Sequence, residues 1–176
     1  MDQLWTAYNE GHTFAGIILV MCYTRMRYGE ISTIKREDVH ISERYMIGGI
    51  KTEAGKNREF PIREDIALII ERFMSSEIWT DDVIPKAKIS DPTWKLFIDI
   101  PEKKFYTLFY DCLKLSGVRG LNPHCCRHTY ATMLMESGAP AAVIMAIMGH
   151  EDIGTTMGNT HVKLKEKLEA INNLPR

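Results

Sequence analysis

Residues 123–129 read Pro-His-Cys-Cys-Arg-His-Thr, and this stretch predicts the start of a helix with chemically active side chains. Proline suits the first position of a helix, because its fixed φ is already helical and its missing N–H is not needed there. His124 and Arg127 are three residues apart, so they project from one face of that helix. We expect the unpaired backbone N–H groups of the first turn to favour an anion as well.

Two arginines, two histidines and a lysine form the candidate site that the sequence offers for a phosphodiester. An arginine fork matches two phosphate oxygens, and a pair of arginines can neutralise a five-coordinate phosphorus transition state. Histidine can donate a hydrogen bond or move a proton near neutral pH. Lysine at the tip of a hairpin can protonate a leaving oxygen. The set consists of Arg27, Lys51, His124, Arg127 and His150.

Each of these side chains also has an ordinary interpretation when it is taken singly. An arginine at a helix start is usually solvated or salt-bridged, and a lone histidine is usually a satisfied surface or core group. Lys51 could be an ordinary hairpin lysine, and Lys56 or Arg58 could serve equally well as the cation at the hairpin. Only the combination of the five residues favours a phosphate site.

The apolar pattern around this set predicts an α+β fold that is mostly helical, with a small antiparallel β-hairpin at one edge. Residues 14–34 predict a buried helix, a break and a second helix, and further helices are predicted at residues 66–73, 105–113, 123–134, 140–149, 152–157 and 164–171. Residues 44–50 and 58–62 predict the hairpin strands, with Pro61 ending the second strand or placing it on an edge. Residues 76–101 predict a loop with a short strand at 96–100.

Composition limits the class of protein more than its function. The 176 residues suit one globular domain, and the apolar run at residues 14–23 is too short for a bilayer, which needs about 20 residues. The four cysteines fit neither a zinc site nor a disulfide framework, so we expect free thiols in a reducing cytoplasm. The net charge of −1 counts modestly against nucleic-acid binding, although a cleft can be positive on a neutral protein.

Five segments, taken in order, resemble the motifs of the tyrosine recombinase (phage integrase) family. Residues 23–30 (YTRMRYGE) are similar to Y-T-G-x-R-x-x-E, and residues 51–62 (KTEAGKNREFPI) to the lysine-bearing hairpin. Residues 123–129 resemble H-x-x-R-H, residues 148–150 (MGH) resemble L-G-H, and residues 155–162 (TTMGNTHV) resemble the nucleophile segment T-T-x-x-Y-T-H-V. Each motif is weak alone, but the ordered set within residues 14–172 indicates the catalytic domain of this family.

The resemblance implies a role for each candidate residue in cutting and rejoining DNA through a phosphotyrosine link. Arg27 and Arg127 would hold the scissile phosphate. His124 and His150 would hydrogen-bond it or assist proton transfer, and Lys51 would protonate the leaving 5′ oxygen. No metal and no nucleotide cofactor is expected, since the covalent link stores the energy of the phosphodiester.

The chain departs from the family at the nucleophile. The family places its tyrosine about nine residues after the histidine that corresponds to His150, and this chain has Asn159 there. No tyrosine follows Tyr130, and the hydroxyl of Thr160 is a poor substitute because of its high pKa. An amide cannot form the phosphoester, so we expect a domain for site-specific DNA recombination and integration that grips a phosphate but is deficient in cleavage.

Two further residues of the first motif bear on the arginine pair. According to the resemblance, Glu30 would brace the arginines and the fold rather than touch DNA. Arg25 replaces the usual glycine of the motif. This substitution leaves two alternatives, a change in the local backbone or an added phosphate contact.

The resemblance also implies an organisation and a set of partners. We expect residues 1–176 to be a single catalytic domain without the N-terminal core-binding domain of the family, encoded by a bacterium or a phage and located in the cytoplasm. Its partners would be double-stranded DNA at a recombination site and other copies of itself assembled on DNA, with no membrane and no small-molecule substrate. The last helix could pack on its own domain or dock on a neighbouring protomer.

Other classes of function fit the sequence less well. A non-cleaving DNA-binding protein derived from an integrase is the main alternative. Residues 141–157 loosely resemble a helix-turn-helix, but they lack basic side chains and include Glu151 and Asp152. His124 and His128 are four apart, which suits a metal-binding or structural domain, but no acidic third ligand stands in register.

Overall fold

The computed structural model describes residues 1–49, 58–75, 92–93, 95–97, 101–148 and 162–175. The predicted turn at residues 52–57, the short helix at 152–157 and most of the loop at 76–101 lie outside these ranges. The helices of the described residues are α1 (Asp2–Asn9), α2 (Thr13–Thr24), α3 (Tyr28–Ile31), α4 (Glu64–Ser75), α5 (Glu102–Leu115), α6 (Pro123–Glu136), α7 (Ala141–Met148) and α8 (Leu164–Asn172).

Helix α2 forms the centre of the fold. Every residue from Ala15 to Thr24 is buried, because the helix is apolar on all of its faces and can satisfy them only by being surrounded. Helices α1, α4, α5 and α6 pack against it. The predicted helix, break and second helix over residues 14–34 are confirmed, and the break at residues 25–27 leads directly into the candidate site.

Helix α1 was not predicted from the sequence. Leu4, Ala7 and Tyr8 follow the spacing i, i+3, i+4, and all three are buried against the core. The same spacing in α4 places Ile66, Ile69 and the other apolar residues of its inner face in the core, as predicted.

A small antiparallel sheet covers one edge of the helices. Its strands are β1 (Val39–His40), β2 (Tyr45–Gly48) and β3 (Arg58–Pro61), in the order β1-β2-β3. The predicted hairpin is confirmed as the β2–β3 pair, with Tyr45 opposite Pro61 and Gly48 opposite Arg58. Pro61 ends an edge strand, as its missing N–H requires. Strand β1 was not predicted, because two residues are too few to show an alternating pattern.

The region near residues 95–97 differs in part from the predicted strand at 96–100. Lys95 forms an isolated antiparallel bridge with Lys35, and the N–H of Leu96 donates to the carbonyl of Ile34. Leu96 and Phe97 are buried, but neither belongs to a strand. Residues 98–100 lie outside the described ranges, so the prediction is not tested there.

The last helix packs on its own chain. Helix α8 contacts α7 and β3, and Ile171 and Leu174 are buried. The hydroxyl of Tyr23 in α2 donates to the carbonyl oxygen of Pro175 at 2.9 Å, and Arg63 Nη1 donates to the same oxygen at 2.9 Å. These bonds hold the end of the chain against its own domain. Of the two alternatives for the last helix, this arrangement is packing on its own domain.

Glycines follow the ends of α5 and α6. Gly117 and Gly138 have φ values of 68° and 72°, in the left-handed region that glycine enters without steric cost. The turn after α6 brings α7 back against it. In the ranges that the structure describes, no helix combines the length and the apolar character needed to cross a bilayer.

Candidate phosphate-binding site

Arg27 lies at the junction between the central helix and α3. It is the residue before the first turn of α3, with extended backbone, and its side chain is exposed. Glu30, which is 4% exposed, accepts a hydrogen bond through Oε2 from the backbone N–H of Arg27 at 2.9 Å. A carboxylate in the first turn of a helix is favoured there because it pairs with backbone donors. Glu30 therefore fixes the backbone that presents Arg27.

His124 and Arg127 lie on the first turns of α6, as predicted. His124 is exposed and Arg127 is half-buried. The N-terminal N–H groups are not available to an anion, which corrects the expectation from the sequence. Asn122 Oδ1 accepts from the N–H of His124 at 3.0 Å and from the N–H of Cys125 at 2.9 Å. Asparagine is a strong residue at this capping position, so α6 offers an anion its side chains rather than its backbone.

Arg27 and Arg127 are close enough to repel each other. Burial lowers the pKa of Arg127 most, and the positive charges of Arg27 and Arg58 lower it further, while the Glu30 carboxylate acts in the opposite direction. Repulsion of this kind requires that the guanidinium groups lie within a few ångströms to about 10 Å in a poorly screened setting. The fold thus places two arginines that are a hundred residues apart in sequence within range of each other's charge.

Arg58 joins this pair from the sheet. It begins β3, and its guanidinium carbon lies 5.4 Å from the centre of the Phe60 ring. The sequence offered Arg58 only as a substitute for Lys51. The sequence signal for Arg58 is its position at the start of β3, directly after the predicted turn. A side chain at that end of a hairpin can reach into a groove.

Arg25 has a buried side chain, and its backbone bears on the first of the two alternatives that the sequence leaves open, a change in the local backbone. The residue has φ 57° and ψ 14°, so the backbone keeps the left-handed conformation for which glycine is the usual choice. Its side chain is 1% exposed, and in the described ranges neither Nε nor Nη1 has a hydrogen-bond partner. Burial, together with the charges of Arg58 and Arg127, lowers the pKa of Arg25 to about 9.

Tyr130 is the last tyrosine of the chain, and its surroundings do not suit a nucleophile. Its side chain is 1% exposed in α6, and the hydroxyl oxygen has no hydrogen-bond partner among the residues that the structure describes. Burial raises the pKa of Tyr130 far above its usual range, whereas the nearby charge of Arg25 lowers it slightly. A hydroxyl that solvent does not reach and that resists ionisation is a poor nucleophile for DNA.

The rings of His124 and His128 contact each other edge to face on the exposed side of α6. Their ring centres are 5.0 Å apart, with the planes at 74°. Across the described ranges, with their gaps, no three histidine, cysteine or carboxylate side chains come together as a metal site would need. All four cysteines are free thiols. Lys51, His150 and Asn159 lie outside the described residues.

Comparison with known proteins identifies the class of the domain. A family model described as the phage integrase family matches residues 1–166. The chain belongs to the phage integrase family. A curated relative, the tyrosine recombinase XerD of Listeria monocytogenes, is 26% identical over 160 residues. That match covers 84% of this chain and 50% of the relative, so the chain spans about half the length of such phage integrase family members.

Solved structures confirm the fold of this phage integrase domain. The crystal structure of XerA recombinase superposes with a TM-score of 0.67 at 22% identity, covering 96% of this chain and 60% of that one. The Tn1549 transposon integrase, solved in complex with circular intermediate DNA, gives a TM-score of 0.57 at 20% identity and covers 80% of this chain and 51% of its own. The mostly helical α+β prediction with a small antiparallel sheet is therefore correct.

Proposed function

We propose that this domain binds the phosphate backbone of double-stranded DNA at a recombination site, as the catalytic domain of a phage or mobile-element integrase. The observation that carries the proposal is the pairing of Arg27 with Arg127 beside a buried carboxylate. Two guanidinium groups side by side repel each other unless an anion lies between them, and a phosphodiester has the charge and the oxygen spacing to do so. The Tn1549 integrase, a structural neighbour, is solved with DNA.

The proposed roles follow from the chemistry of each side chain. Arg27 and Arg127 hold the non-bridging oxygens of one phosphate, and exposed His124 donates to it from the same helix face as Arg127. Glu30 acts through the backbone of Arg27 rather than on DNA. Lys51 and His150 complete the set, as general acid and as a further hydrogen-bond donor or proton-transfer group.

Cleavage is the step that we propose to be missing. The family reaction needs an oxygen nucleophile that attacks phosphorus, forms a phosphotyrosine and releases the 5′ hydroxyl. Asn159 has no such oxygen, and buried Tyr130 does not reach solvent. Asn159 also favours the alternative, a DNA-binding protein that has lost recombination altogether. The domain would then hold DNA, alone or with other copies of itself, without cutting it.

Binding is tested with a labelled random-sequence duplex of about 30 base pairs. Arg127→Ala should lower the slope of log affinity against log salt by about one, because one phosphate contact is lost. Arg44→Ala is the matched control, since Arg44 lies at the opposite end of the β2–β3 pair from Arg58 and bonds Asn172. Equal binding by the wild type and Arg127→Ala contradicts the proposal.

Cleavage is tested by restoring the nucleophile. Asn159→Tyr is incubated with a pool of nicked suicide duplexes of random sequence, and covalent adducts are separated on a denaturing gel and sequenced. An adduct in Asn159→Tyr that is absent in the wild type and in Asn159→Phe supports an integrase with an intact remaining site. Binding without an adduct favours the non-cleaving alternative, and an adduct from the wild type contradicts cleavage deficiency.

A further inference from the structure

The end of the central helix holds a buried positive charge that forms no ion pair within the part of the chain that the structure describes. Arg25 is 1% exposed, and its Nε and Nη1 atoms have no hydrogen-bond partner among the described residues. A charged group removed from water without a partner is costly. The role proposed above for Arg27 and Arg127 does not use Arg25, so its burial needs a separate explanation.

The charged and titratable groups that face Arg25 come from three elements. Arg58 belongs to β3, Glu30 to α3, and Arg127 and Tyr130 to α6. The charge of Arg27 acts on Arg127, and the charge of Arg127 acts on Arg25. Arg127 is therefore the electrostatic link between an exposed guanidinium and a buried one. Among the described residues, Glu30 is the carboxylate whose charge acts on both Arg25 and Arg127.

The backbone at Arg25 adds a second cost. Among the described residues only Arg25 and Arg44 have positive φ without being glycine, with values of 57° and 59°. This conformation costs about 1 kcal/mol or more for a residue with a side chain. A glycine at residue 25 would avoid both the strain and the buried charge. Where two unfavourable features coincide next to a binding site, a functional constraint is a reasonable hypothesis.

We propose that Arg25 is a positioning residue, whose buried and only partly compensated guanidinium adds positive charge next to Arg127 and thereby strengthens the grip of Arg127 and Arg27 on a DNA phosphate. The inference rests on the proposed function of the pair. Arg25 acts through its field rather than by contact, because only 1% of the residue is exposed. A buried charge is weakly screened, so its attraction for a phosphate several ångströms away persists in salt.

Arg25→Met tests this proposal because it keeps the side-chain bulk and the backbone strain but removes the charge. We expect duplex affinity to fall about tenfold, the effect of one unit charge at a distance of several ångströms in a protein-like dielectric. The slope of log affinity against log salt should not change, in contrast to Arg127→Ala. Arg44→Met is the matched control, since it makes the same exchange at the other strained arginine.

The pH profile separates charge from structure. The affinity advantage of the wild type over Arg25→Met should disappear as pH rises through about 9, where Arg25 loses its proton. Arg25→Lys should recover affinity at about pH 6 and lose it by about pH 8, because a buried lysine titrates lower than arginine. A residue with a merely structural role would give no pH-dependent difference. Circular dichroism verifies folding, and Arg25→Gln replaces Arg25→Met if the latter does not fold.

Each outcome has a distinct meaning. Unchanged affinity in the charge-removing variant, while Arg127→Ala loses binding, overturns this inference and leaves the proposed function standing. A reduced salt slope in Arg25→Met means direct phosphate contact and also overturns it. No duplex binding by the wild type overturns the proposed function and this inference together.

Discussion

Glu30 Oε2 lies 2.9 Å from the backbone nitrogen of Arg27 and accepts its hydrogen bond. The carboxylate is almost fully buried, and its charge also opposes the repulsion felt by Arg25 and Arg127. One side chain thus fixes the position of the exposed arginine and compensates part of the charge of the inner ones.

Replacing this carboxylate should destabilise the domain. Glu30→Gln can keep the hydrogen bond but not the charge, so the arginines lose their only described carboxylate neighbour. We expect a loss of about 1 to 3 kcal/mol in the free energy of unfolding, measured by urea denaturation. Glu37→Gln is the control, because Glu37 forms an exposed ion pair with Lys35 and such pairs contribute little. A loss in Glu30→Gln no greater than in Glu37→Gln contradicts the compensating role.

The contribution of the Asn122 cap of α6 to stability should be measurable in the same way. Asn122→Ala removes the side-chain oxygen that accepts from the N–H groups of His124 and Cys125. We expect a loss of about 1 kcal/mol in stability by urea denaturation. Asn173→Ala makes the same exchange at an exposed residue after α8 and should change stability less.

The freed N–H groups in Asn122→Ala give a second measurement. If backbone donors can contribute to phosphate binding once uncapped, duplex affinity of this variant will rise despite its lower stability. We expect no rise, because DNA contact is assigned to the side chains of α6. Increased affinity at unchanged salt slope would show that the cap competes with the ligand.

Two tyrosines of the core should respond in opposite ways to removal of the hydroxyl. Tyr23→Phe loses the bond to the carbonyl of Pro175, so we expect about 1 kcal/mol of destabilisation in urea. Tyr130→Phe removes a buried hydroxyl without a partner, so stability should be unchanged or higher. Equal losses in the two variants would mean that the Tyr130 hydroxyl is hydrogen-bonded in solution.

Stability should depend on pH through Arg25. Its pKa is lowered in the folded protein to about 9 from an ordinary value of 12.5, so the unfolded chain binds more protons between these values. The contribution of Arg25 to the free energy of unfolding therefore becomes more favourable as pH rises through about 9. The raised pKa of Tyr130 acts in the opposite direction above its ordinary value of 10.

A comparison with Arg25→Met isolates the Arg25 contribution, because both proteins contain Tyr130. At about neutral pH the variant should be the more stable of the two, since it has no buried charge to desolvate. Its advantage should shrink when urea denaturation is repeated at about pH 9.5, where wild-type Arg25 is largely neutral. An advantage that stays constant with pH would mean that Arg25 does not titrate in this range.

The sequence by itself determined the described helices other than α1, the β2–β3 hairpin and the family. The spacing of apolar residues defines which face of a helix is buried, and Gly117, Gly138 and Pro61 have local backbone reasons to end their elements. Two features had a local signal that the sequence interpretation did not use. Leu4, Ala7 and Tyr8 have helical spacing, and Asn122 before Pro123 is a capping pattern.

Only the tertiary structure decided the environment of the charges. Arg25 could have met DNA or the core, and it lies in the core because the chain turns through a left-handed residue at the end of the central helix. Arg58 acts on the charge of Arg127 because the fold brings a strand near a helix that is far from it in sequence. Periodicity is a local property of the chain, whereas desolvation and repulsion depend on which distant elements converge. This is the physical reason why motifs identified the arginine pair but could not reveal the buried charge behind it.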